Sequence, residues 1–132
     1  MLTPLEELAS HLSGSSRAIV ISNRDVDLRP GAEDNRLFVL KIGEGSLAAG
    51  GRGGGFGERK VTEVVCFERC KGEWAKRFEA QGEDEASKFE VPYYVSRLPL
   101  TLADGAETMG YGAVDPALVA EMSARSKIGS SA

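Results

Sequence analysis

The chain has few of the residues that build metal and redox sites. Among its 132 residues are two cysteines and one histidine, whereas a closed zinc site needs four ligands. Cys66 and Cys70 are spaced C-x-x-x-C, unlike the C-x-x-C arrangement that lowers the pKa of a thiol. We therefore expect Cys66, Cys70 and His11 to be structural residues, and we expect no metal and no cofactor.

Long apolar segments and catalytic motifs are missing as well. No apolar run approaches the roughly 18 residues that span a bilayer, and the N-terminal residues carry carboxylates where a secretory signal would carry positive charge. Neither a P-loop nor a G-x-S-x-G motif occurs. These absences indicate a protein of the cytoplasm, or of a particle made there, without membrane contact. They weigh against an enzyme but leave that class open.

Positive charge is also in short supply. Sixteen Lys and Arg residues stand against twenty Asp and Glu residues, giving a net charge of −4, which disfavours a broad nucleic-acid-binding surface. The apolar share of 42% and the charged share of 27% are typical of globular proteins. The length predicts a single domain over residues 1–132.

Glycine, by contrast, is abundant and concentrated in one place. Residues 43–57 contain eight of the 16 glycines in the chain. Glycine loses more backbone entropy on ordering than any other residue and has no side chain to bury. The segment therefore predicts a long loop or arm, and residues 127–132 predict a polar tail.

Two helices have clear start signals. Thr3 and Glu6 form a capping-box pattern around Pro4, which indicates an N-terminal helix that ends near Gly14. Asp115 followed by Pro116 predicts the start of a C-terminal helix that runs to about residue 126.

Four segments are predicted as strands, over residues 17–22, 35–42, 60–67 and 88–96. Pro92 cannot donate a backbone hydrogen bond, so the fourth strand should lie at a sheet edge or contain a bulge. The connection over residues 100–112 contains three glycines and is predicted as a loop.

Residues 67–80 are open to two interpretations. Phe67, Cys70, Trp74 and Phe78 recur at helical spacing, which favours a helix that covers the sheet. A hairpin that turns at residues 70–72 is the alternative, and Gly72 supports it.

Together these elements predict an α+β fold. Most connections are too short for crossover helices. We therefore expect a small, mostly antiparallel sheet of four or five strands, flanked by the N-terminal and C-terminal helices and carrying the long glycine-rich arm.

The arm and the predicted edge strand favour a protein whose role is contact. We expect a non-enzymatic interaction or assembly subunit of a homo-oligomer or of a larger complex, such as a viral or other particle. Edge strands pair readily with other chains, and glycines allow a close approach of a neighbouring subunit. The predicted partner-binding residues are Arg52, Phe56, Arg59, Lys60 and Tyr94.

Two other classes of function stay open. Arg52 and Phe56 in the arm, with Arg59 and Lys60 just after it, resemble the composition of segments that bind single-stranded nucleic acid, although the acidic net charge does not favour this. Gly43, Gly45 and Ser46 belong to a G-x-G-x-x-A pattern after a predicted strand, which suggests phosphate binding by a small enzyme or ligand-binding protein. The glycines that follow disfavour the helix that such a site requires.

Overall fold

The computed structural model describes residues 2–14, 18–43, 61–89 and 95–127. The elements in these ranges are, in chain order, α1 (Pro4–Gly14), β1 (Ala18–Ser22), β2 (Val26–Asp27), β3 (Asn35–Ile42), β4 (Val61–Cys70), β5 (Glu73–Gln81), α2 (Glu83–Ala86), β6 (Ser96–Thr101), β7 (Glu107–Val114) and α3 (Pro116–Ser126).

The seven strands form one mixed sheet in the order β2-β6-β7-β1-β3-β4-β5. β1 lies parallel to β7 and β2 lies parallel to β6, whereas the other neighbouring pairs are antiparallel. The predicted sheet of four or five mostly antiparallel strands is therefore wrong, although the α+β class is compatible with this architecture. The main cause is residues 100–112, which form most of the β6–β7 hairpin and not a loop.

The sheet has a helix on each face. All five residues of β1 are buried, as is typical of a continuous apolar run that is covered on both sides. On the α1 face, α1 packs Leu8 into a core that includes Val20, Leu37, Val39, Phe67 and Leu98. On the opposite α3 face, α3 packs Val119 and Met122 into a core that includes Ile19, Ile21, Phe38, Leu40 and Val64.

Both predicted helix starts are present. The Thr3 amide donates to Glu6 Oε1 at 2.9 Å, and the Glu6 amide donates to Thr3 Oγ1 at 3.1 Å, which completes the capping box. The Asp115 side chain accepts a hydrogen bond of 3.1 Å from the Leu118 amide at the start of α3. None of the helices in the described ranges is long and apolar enough to cross a membrane.

Residues 67–80 form the two strands of the β4–β5 hairpin and not a helix. Lys71 and Gly72, at the turn, have φ values of 55° and 85°, as a tight hairpin turn requires. Phe67 and Trp74 pack in the α1-face core, whereas Phe78 packs against the α3-face core. The helical spacing of these aromatic residues was therefore misleading, since they lie on opposite sides of a sheet.

The strand predicted over residues 88–96 is not formed at its first two residues, and at its other end only Ser96 belongs to a strand. Lys88 and Phe89 lie in the turn after α2, and the Phe89 amide donates to the Ala86 carbonyl at 3.1 Å. Ser96 begins β6, while residues 90–94, which include Pro92, lie outside the described residues. Phe89 and Val95 are both buried in the α3-face core.

The contact between β1 and β7 requires a glycine at one point. Gly112 is paired with Val20 in parallel register. A Cβ atom at position 112 would lie 2.1 Å from the Val20 carbonyl oxygen and 3.0 Å from Leu98 Cδ2. Because the nearest obstacle is backbone, any side chain at position 112 would force the two strands apart.

We expect Gly112→Ala to lower the free energy of unfolding by about 1–3 kcal/mol, the usual cost of overpacking a tight site. Gly110→Ala is the matched control on the same strand, because its Cβ would meet only the Leu100 side chain, at 3.1 Å. Urea unfolding followed by circular dichroism would compare the two. Equal losses for both variants would contradict this account of Gly112.

His11 is the one described histidine, and it lies on α1 against the α1-face core. Its ring centroid is 5.9 Å from that of Phe67, and its side chain is 15% exposed. Burial, followed by the nearby charge of Lys41, lowers the pKa of His11 below its ordinary value of 6.5, although Glu63 and Glu7 oppose the shift. The folded chain therefore favours the neutral imidazole.

This lowered pKa predicts a pH-dependent stability. Since the unfolded chain binds the proton more readily, acidification from above pH 6.5 through the folded-state pKa should reduce the free energy of unfolding. His11→Gln removes the titrating group. Between pH 7.5 and pH 5 the free energy of unfolding should therefore fall more for the wild type than for the variant. Urea unfolding at both pH values tests this, and a constant difference would refute it.

Candidate interaction surface

The β6–β7 hairpin carries three pairs of side chains that face each other across the two strands: Arg97 and Tyr111, Pro99 and Met109, and Thr101 and Glu107. Side chains of directly opposed residues lie on one side of a sheet. Ala113, two residues beyond Tyr111, packs against the α3-face core. The alternation along β7 therefore places all six on the α3 face, and we call them the β6–β7 patch.

The β6–β7 patch is apolar at its centre and open to solvent. Met109 is 47% exposed and Tyr111 is 38% exposed, although both belong to a strand in the interior of the sheet. On this face α3 packs against β1 and β3, beside the patch. Tyr, Met and Arg are enriched in protein interfaces, and an exposed apolar patch of this kind is typical of an interaction site.

The two ends of the patch differ in charge. At one end the Arg97 guanidinium lies 5.7 Å from the centre of the Tyr111 ring, a cation–π contact worth about 0.5–1 kcal/mol at an exposed site. At the other end Glu107 lies close enough to Arg29 to help raise the pKa of that guanidinium, an effect caused mainly by its hydrogen bond to Asp27. In the described part of the chain Arg97 makes no ion pair.

A notch opens beside the patch where β7 extends past the start of β1. Because Ile19 pairs with Tyr111 in parallel register and β1 begins at Ala18, residues 107–109 have no described part of β1 beside them. A cavity of about 210 Å³ lies here, and residues from both faces of the sheet line it. Its lining comprises Leu12, Ala18, Val20, Arg97, Leu100, Met109, Gly110 and Tyr111. The notch therefore continues the patch into an apolar recess with Arg97 at its side.

Strand addition at the β5 edge is disfavoured. The register shifts between Cys66 and Phe67, which pair with Phe78 and Lys76, so that Arg77 is an extra bulged residue. Lys76, Arg77 and Glu79 place charge along this edge. Bulges and charged residues are the usual protection of an edge against pairing with other chains.

The other edge of the sheet is also protected, by proline. There β2 pairs only with Leu100 and Thr101 of β6, which leaves the start of β6 without a described neighbour on that side. The Leu28 amide donates to the Thr101 carbonyl at 2.8 Å, so the backbone groups of residues 97 and 99, which point the same way as those of residue 101, face this open edge. Pro99 has no N–H to offer at that edge. Since strand addition is disfavoured at both described edges, the open face of the β6–β7 hairpin is the more accessible contact surface.

The residues predicted from sequence to bind a partner lie outside the described residues: Arg52, Phe56, Arg59, Lys60 and Tyr94. The same holds for Gly45 and Ser46 of the alternative phosphate site. Gly43 is described and directly follows β3. The arm contacts and the phosphate site therefore stay predictions.

The sequence interpretation missed Arg97, Met109 and Tyr111. It treated the glycines at positions 105, 110 and 112 as a sign of a loop. Gly105 does lie in the β6–β7 turn, with a φ of 88°, but Gly110 and Gly112 alternate with Met109, Tyr111 and Ala113. Alternation of glycine with larger residues is a period-two pattern, and it was the available signal for a strand.

A polar cleft of about 290 Å³ lies near the start of α3, and polar side chains that line it are hydrogen-bonded within the protein. Arg36 Nη2 donates to Glu68 at 2.8 Å, Arg36 Nη1 donates to Ser123 at 3.0 Å, and Arg77 Nε donates to Glu68 at 2.9 Å. Burial alone would raise the pKa of Glu68, but the hydrogen bonds from both arginines outweigh it and lower that pKa. We interpret this network as structural support for α3.

The two cysteines differ in their surroundings. Burial raises the pKa of the Cys66 thiol to about 12, so it is protonated and inert at neutral pH. Cys70 is a free, exposed thiol at the end of β4. Among the described residues there is no group of three or more His, Cys, Asp or Glu side chains placed to hold a metal ion.

Comparisons of the chain with models of protein families, with curated proteins and with solved structures found no match.

Proposed function

We propose that this protein is a non-enzymatic assembly subunit that contacts its neighbours through the β6–β7 patch, in a homo-oligomer or in a larger complex. The observation that supports the proposal is the exposure of Met109 and Tyr111 on an interior strand of the sheet. The face of an interior strand is normally covered, as it is over β1 and β3. A neighbouring subunit would complete this cover.

The energetic gain from such cover is real but modest. Full burial of a methionine side chain stabilises by about 1.5–3 kcal/mol, and nearly half of Met109 is exposed. Covering it would contribute about 1 kcal/mol, with a further contribution from the Tyr111 ring. Several such contacts, and the predicted arm over residues 43–57, are needed for a stable assembly.

We also propose that the protein works in the cytoplasm or in a particle made there. Cys66 and Cys70 are both free thiols, which suits a reducing compartment. The exposed thiol of Cys70 would be open to oxidation in a secretory compartment.

The oligomeric state tests the proposed function. If the neighbouring subunit is a second copy, light scattering behind size exclusion should show a defined oligomer for the intact chain at concentrations of about 10–500 µM, the range in which weak specific contacts form. The double variant Met109→Ser with Tyr111→Ser should be a folded monomer. Val114→Ser is the matched control, since Val114 is 43% exposed on the same strand but points to the opposite face. It should keep the oligomer.

A monomeric intact chain over this range would contradict self-assembly. An oligomer that survives the double variant would show that the contact lies elsewhere.

The predicted arm needs a separate variant, in which residues 48–57 are replaced by a short turn. If the arm takes part in assembly, this variant should be a folded protein with a weaker association than the intact chain. Unchanged association would exclude the arm from the contact and leave the patch variants as the test of the surface.

A further inference from the structure

The notch beside the β6–β7 patch has the size and lining for one large apolar side chain. Its volume is about 210 Å³, below the usual range of about 300–1,000 Å³ for sites that enclose a whole small ligand. Leu12, Ala18, Val20 and Leu100 supply apolar lining. A single anchoring side chain that fills such a recess is typical of the centre of an interface.

Arg97 adds a charge requirement to this recess. Arg97 lines the notch, and its guanidinium lies over the Tyr111 ring, without an ion pair in the described part of the chain. A guanidinium that is already oriented loses little side-chain entropy when it binds a carboxylate. The group that best complements the notch is therefore an apolar side chain with a carboxylate close to it.

The far end of the patch offers no free positive charge. Glu107 lies there together with Asp27, whose carboxylate pairs with Arg29 at 2.7 Å. The charge of Arg69 also acts on Asp27, and its guanidinium donates to the carbonyls of Asp27 and Arg29. Because both arginines are already engaged, the carboxylate of a bound segment would lie at the Arg97 end.

We infer that the notch receives a large apolar side chain from an acidic segment of a partner protein, and that a carboxylate near that side chain pairs with Arg97. This inference rests on the form of the proposed function in which the subunit that covers the patch is a different protein of a larger complex, and it specifies the chemistry of that partner. A second copy of this chain as the occupant is an alternative that the experiment below separates.

Small probes test the inference directly. The compound 3-phenylpropionate carries an aromatic ring and a carboxylate, and 3-phenylpropanamide is its neutral counterpart. With ¹⁵N-labelled protein, kept dilute enough to be monomeric, 3-phenylpropionate at concentrations up to about 10 mM should shift the amide signals of Ala18, Gly110 and Tyr111. It should bind about three- to fivefold more tightly than the amide, as expected for an exposed ion pair.

Two variants test whether Arg97 causes the preference for the carboxylate probe. Arg97→Gln should reduce the ratio of the two affinities to about one, because it removes the charge and keeps a side chain of similar length. Arg24→Gln is the matched control, since Arg24 is exposed and pairs with Glu33 away from the notch. It should leave the ratio unchanged.

Several results would overturn the inference. These are the absence of shifts at the notch with either probe, equal affinities of the wild type for both probes, and a preference that survives Arg97→Gln. Notch signals that move with protein concentration, without any probe, would identify a second copy as the occupant and would also overturn it. Because the probe experiment uses monomer, its failure would leave the oligomer test unaffected, and a monomeric result in that test would leave the probe binding unaffected.

Discussion

The close parallel contact between β1 and β7 joins two parts of the sheet that would otherwise be separate. On one side lie β1, β3, β4 and β5, a purely antiparallel series, and on the other lie β2, β6 and β7. Among the described residues, the one strand pair that links the two parts runs from Ile19 and Tyr111 to Ser22 and Val114. The absence of a side chain at Gly112 permits this approach, and the positions of the patch, the notch and α3 all depend on it.

The local elements of this fold could be predicted from the sequence because their causes are local. The strand predicted over residues 35–42 has the same bounds as β3, and both helix starts follow from hydrogen bonds between residues three apart. Such signals involve a few neighbouring residues, and they do not depend on the rest of the chain.

The sheet order and the candidate surface could not be predicted in the same way. The pairing of β7 with β1 joins residues that are far apart in sequence, and no turn or crossover pattern in the sequence predicts it. The exposure of Met109 and Tyr111 depends on where α3 lies, which is again a tertiary effect. The aromatic spacing of residues 67–78 misled the interpretation for a related reason, since periodicity does not show whether the neighbours lie on one face of a helix or on two faces of a sheet.

The position of β7 has a consequence for folding during synthesis. It is the last described strand in the chain, yet it occupies an interior place in the sheet. During translation the antiparallel series of β1, β3, β4 and β5 leaves the ribosome first, with the flank of β1 still unpaired. The surface that we propose for assembly includes β7 itself, so it would form only after that strand has joined β1. Assembly through this surface would therefore require subunits whose sheet is complete.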